Sequence, residues 1–95
     1  MSVSSGLDTV VQAHREEITA LDRRLVETVN ARIREVEALH RYKGQQGIPV
    51  RDLDRERWLI DHLQQTNQGP LSPEGLGELV HFVLELVRKE QARGL

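Results

Sequence analysis

Cysteine is absent from the chain, which removes both a disulfide framework and any thiolate metal site. A zinc site would then rest on His14, His40, His62 and His81 with carboxylates, yet no two of these histidines have the three-to-five-residue spacing of a helical metal pair. No metal is expected. Aromatic residues are almost as scarce. One Trp, one Tyr and one Phe cannot form a base-stacking platform, and a net charge of −2 supplies no positive field, so nucleic acid is not an expected partner. No apolar run approaches the roughly 20 residues that cross a bilayer, so no membrane partner is expected either. The first six residues have neither the basic start nor the apolar block of a secretory signal, and the expected location is the cytoplasm. Gly44 and Gly47 follow no strand and precede no Lys-Ser or Lys-Thr, so they form neither common type of phosphate loop.

What is present is charge laid over helical periodicity. Of the 95 residues, 38% are hydrophobic and 29% charged, a globular balance in a chain so short that it gains much by sharing a core with a partner. Between Leu7 and Lys43 there is neither proline nor glycine, and Leu7, Val11, Ile18, Leu21, Leu25, Val29, Val36 and Leu39 recur at helical spacing. A helix over 7–43 would be roughly 55 Å long at about 1.5 Å per residue, and it cannot fold back to hide its own stripe. A second chain is expected to cover it. Residues 44–49, with two glycines and Pro49, are expected to stop that helix and turn the chain. A second helix is expected over 50–67, with Leu53, Leu59, Ile60 and Leu63 on one broad face. Ser72 suits the N-cap and Pro73 the first position of a third helix over 72–93, whose apolar face is Leu76, Leu79, Val80, Val83, Leu84 and Val87. With no convincing strand or repeat, the chain reads as one all-α domain over 1–95, with a flexible lead over 1–6, one very long helix and two shorter ones.

The breaks in this pattern carry the functional information. Arg32 falls three residues after Val29 and four before Val36, on the seam of the long helix. Alone it would be read as a cation that snorkels to solvent or pairs with Glu35. Lys43 changes that reading, because it follows by about three turns and lies nearly on the same face, about 16 Å further along the axis. Two long cations can converge on a small anion between them. Arg15 is rotated roughly 100° from Arg32 and lies about 42 Å from Lys43 along a straight helix. One chain cannot gather all three, but antiparallel pairing of two long helices would bring Arg15 of one chain toward Arg32 and Lys43 of the other, giving two equivalent sites in a symmetric dimer. A small dicarboxylate suits such a site, since guanidinium groups bind carboxylates through paired hydrogen bonds. Asp52, Arg55 and Glu56 share one face of the second helix, where the plainer reading is a capping aspartate beside a solvated charge cluster. Gln91 prolongs the apolar face of the third helix, four residues after Val87.

These residues resemble a known family. The stretch His14-Arg15-Glu16-Glu17-Ile18-Thr19-Ala20-Leu21-Asp22, then Arg32 and Lys43, and above all Pro49-Val50-Arg51-Asp52-Leu53-Asp54-Arg55-Glu56-Arg57, are similar to the all-helical chorismate mutases of the bacterial type. The resemblance implies an intertwined homodimer that rearranges chorismate to prephenate with no metal, no cofactor and no covalent intermediate. It implies that Arg15, lent by the other chain, and Arg32 bind the two substrate carboxylates, while Lys43 donates to the ether oxygen whose bond breaks. It also implies that Glu56 accepts from the ring hydroxyl with Asp52 and Arg55 alongside, and that Gln91 makes the second contact to the ether oxygen. The serine that the family often places four residues before this glutamine is Val87 here. An isochorismate pyruvate-lyase or an aminodeoxychorismate mutase could use the same cations. A non-catalytic helical dimerisation or ligand-sensing module would need only the long stripe, but it would incur a desolvation cost for unpaired cations on that face. No residue points to feedback control or to an activating partner.

Overall fold

A computed structural model describes residues 5–94, so the lead expected over 1–6 lies, for residues 1–4, outside the described residues. Three helices follow in order: α1 (Ser5–Gln46), α2 (Leu53–Thr66) and α3 (Pro73–Arg93). No strand occurs among the described residues, and no helix there is long and apolar enough to cross a membrane. The chain divides into two compact units, Met1–Arg32 and Ile33–Leu95, and α1 contributes to both.

In the first unit, α1 already includes Ser5 and Gly6, ahead of the start expected at Leu7. Its apolar stripe is open on the single chain, with Leu7 at 70% exposure and Leu25 at 57%. Exposed apolar residues in so long a row exceed the scattered ones usual on a protein surface.

In the second unit the end of α1 is set by Gly47 rather than by Gly44. Gly44 stays helical, which costs only about 1 kcal/mol relative to alanine. Gly47 adopts φ 69°, and the Ile48 amide reaches back to the Lys43 carbonyl at 2.9 Å. This is the closing bond of a Schellman motif, with a left-handed glycine just past the helix. α2 then begins at Leu53, later than the expected residue 50, because Asp52 is extended and its side chain accepts the Arg55 amide at 3.0 Å. Val50 and Arg51 are left outside the helix.

Residues 67–72 join α2 to α3 through several side-chain bonds. Asn67 donates from Nδ2 to the Leu71 carbonyl (2.8 Å) and accepts the Gly69 amide (3.0 Å), while Gln64 donates to the Pro73 carbonyl (2.8 Å). Ser72 caps α3 by accepting the Gly75 amide at 3.0 Å, with Pro73 in the first turn. Such a cap is worth about 1 kcal/mol against alanine. A Cβ at Gly75 would sit tightly, 3.0 Å from Leu71 Cδ1 and 3.1 Å from Ser72 Oγ, so a larger residue there would make those side chains shift. The α2–α3 hairpin encloses the only side chains buried among the described residues, Leu76, Val80 and Val87 on one face of α3. The thin core fixes α3 best near Val87, which is 3% exposed.

Candidate active site

Within the second unit, the last turns of α1, the start of α2 and the end of α3 present most of the polar residues singled out by the sequence. Lys43 lies in the last turn of α1, where its positive charge also suits the helix dipole. Its main-chain carbonyl anchors Ile48 and its Nζ donates to the Val50 carbonyl at 3.2 Å. An ammonium group has further N–H donors to offer a ligand. A surface groove of about 550 Å³ runs beside it, bounded by Pro49, Arg51, Asp52 and Arg57.

Glu56 sits at the first turn of α2 with its side chain 22% exposed. One oxygen, Oε1, accepts from Arg88 of α3, and the other, Oε2, is 3.6 Å from Arg51. Arg88 also donates to Glu85 at 3.0 Å. The hydrogen bond to Glu56 is the main cause holding the Arg88 pKa above the ordinary guanidinium value, with desolvation pulling the other way. Beside this network lies a groove of about 580 Å³ between α2 and α3, bounded by Leu53, Ile60, His81 and Leu84.

Gln91 is half-buried, and its amide lies 2.9 Å from Nδ1 of His40 on α1. An amide nitrogen donates, so Nδ1 of His40 is the acceptor in this contact. The second N–H of Gln91 remains for a ligand oxygen. Asp52 is occupied as the cap of α2. Arg55 is exposed and lies over the Trp58 ring at 4.3 Å from its centroid, and Trp58 stacks on His62 with centroids 4.6 Å apart.

In the first unit, Arg15 is exposed and Arg32 is half-buried. Neither has an acidic partner among the described residues, so the pairing of Arg32 with Glu35 is not made. Among the described residues no three His, Cys, Asp or Glu side chains cluster as a metal would need.

Three participants are not singled out by the sequence. His40 stands four residues after Val36 and three before Lys43, so its place on the seam is a usable signal. Arg88 is three residues after Glu85, the spacing of a helical ion pair, but nothing in that spacing points to Glu56. Arg51 precedes α2 and has no periodicity to place it.

Residues 14–92 match the sequence profile of the family described as chorismate mutase type II. Among solved structures, the chain is similar to a chorismate mutase (form I) from Thermus thermophilus. The two share 26% identity with a TM-score of 0.78, over 81% of this chain and 96% of that one. No individually curated protein matches the chain significantly. The all-helical fold of the described residues, together with the family and structural matches, sets the class: an all-helical enzyme. The chain belongs to the chorismate mutase type II family. It is an isomerase acting on a small molecule.

Proposed function

We propose that the protein rearranges chorismate to prephenate at sites completed across a homodimer, each site taking Arg15 from the partner subunit. The observation that carries this reading is selective cover. On α1, Arg32 and Lys43 are half-buried while the neighbouring Arg34, Glu35, Glu37 and Arg41 are exposed, and on α2 and α3 Glu56 and Gln91 are half-buried too. Arg32 has no acidic partner among the described residues, and partial cover of an unpaired cation carries a desolvation cost that a ligand carboxylate would offset. The open stripe of α1 supports the homodimer, and the cysteine-free chain is compatible with a reducing cytoplasm.

The reaction is intramolecular. The ether C–O bond breaks as a new C–C bond forms, and the electrons stay within the substrate. No nucleophile or base is needed. The protein must hold the compact conformer, which Arg32 and Arg15 of the partner subunit do by clamping the two carboxylates. It must also stabilise negative charge growing on the ether oxygen, the task of Lys43 and of the second N–H of Gln91. Glu56 accepts from the ring hydroxyl, with Asp52 holding the start of α2 and Arg55 lining the same wall.

The test is the loss of chorismate absorbance with product analysis. Prephenate as the sole product is expected. Pyruvate release would instead assign the lyase reaction, and a folded dimer without turnover would favour a binding module.

A further inference from the structure

We propose that Arg88 is the positioning residue for Glu56, holding one carboxylate oxygen so that the other faces the ring hydroxyl of the substrate. This rests on the role given to Glu56 above. A glutamate at the edge of a groove has several rotatable bonds and no inherent reason to aim at one point. Here it is held from the opposite helix. Arg88 Nη2 donates to Oε1, while its Nη1 donates to both oxygens of Glu85, at 3.0 and 3.5 Å. The planar guanidinium fork is thus stretched between two carboxylates, which fixes its own orientation before it reaches Glu56.

The base of this arm is equally constrained. Arg88 follows Val87, the most buried of the core residues, so its backbone is fixed by packing rather than by charge. Arg51 differs on each count. It lies outside the helices, its side chain is 60% exposed against 37% for Arg88, and its 3.6 Å approach to Oε2 is an ion pair without a short hydrogen bond. Oε1 is therefore committed and Oε2 is the oxygen a substrate hydroxyl can recruit. Arg88 is also 32 residues from Glu56, so the pair ties the start of α2 to the end of α3, where Gln91 lies one turn further on.

A double-mutant cycle in kcat/KM tests the assignment, with Arg88→Leu, the neutral donor Arg88→Gln and the conservative Arg88→Lys each made alone and with Glu56→Ala. Loss of a charge-assisted bond predicts a drop of about 10- to 100-fold for Arg88→Leu and Arg88→Gln, with Arg88→Lys recovering part of it. In the Glu56→Ala background the same changes should cost less than about 2-fold, because no carboxylate is left to position. Losses that multiply in that background would mean that Arg88 acts on the ligand directly or only on the fold, and would overturn the proposal. Wild-type kcat/KM in Arg88→Leu and Arg88→Gln, with Glu56→Ala impaired, would overturn it while leaving the role of Glu56 standing. An active Glu56→Ala enzyme would remove both.

Discussion

Replacing Lys43 by alanine is expected to lower kcat by about 10²–10³, the usual cost of removing one donor aimed at a developing oxyanion. The substitution tests chemistry cleanly because little else depends on the side chain. Its main-chain carbonyl, which accepts the Ile48 amide at 2.9 Å and closes α1, is untouched. Alanine is also the best helix former, so α1 should persist through Gln46. Two side-chain contributions are lost: the 3.2 Å bond to the Val50 carbonyl and the favourable charge near the helix end, worth about 0.3–1 kcal/mol. Neither approaches the expected kinetic loss. The measurement is kcat for chorismate consumption, with circular dichroism confirming unchanged helicity. A variant that keeps nearly full kcat would remove Lys43 from the ether oxygen.

The second large effect concerns mixing. Arg15→Ala alone should lose about 10²-fold or more in kcat/KM, because an unpaired substrate carboxylate is left in the site. Lys43→Ala alone is similarly disabled. If Arg15 serves the other chain, a mixed dimer of these variants has one site carrying both defects and one site carrying none. Random re-pairing makes about half of all dimers mixed, so about a quarter of the wild-type activity should return when the inactive variants are unfolded and refolded together. If Arg15 served its own chain, every site would keep one defect and nothing would return. The activity of the mixture, read beside its size on a column, separates the two arrangements. Arg15 is exposed on its own chain and free of acidic partners among the described residues, as a residue lent to a partner would be.

The helices are legible in the sequence because their signals are local. The missing glycine and proline between Leu7 and Lys43 announce α1, and Ser72-Pro73 announces α3 within a residue. The end of α1 escapes such a reading because Gly44 and Gly47 look alike in sequence, and only the backbone distinguishes a tolerated helical glycine from one at φ 69°. The start of α2 is read too early because the apolar pattern cannot tell Val50 from the first helical turn, whereas the Asp52 cap can. At the site, Lys43, Asp52, Arg55 and Glu56 stand out through spacing along single helices and through family resemblance. The partners of Glu56 and Gln91 do not, since Arg88 and His40 are 32 and 51 residues away from them. Periodicity orders residues around one axis and is blind to what a second axis brings alongside.

The Arg55–Trp58–His62 stack on α2 has a practical consequence. Trp58 is the chain's single tryptophan, and the guanidinium over its face belongs to one of the residues proposed to line the substrate site. A cation held against an indole face perturbs the ring through its quadrupole, and that perturbation ends when the cation turns toward an anion. Chorismate titration is therefore expected to change the fluorescence of Trp58 in the wild-type protein and not in Arg55→Ala, a label-free gauge of occupancy if Arg55 turns to the ligand.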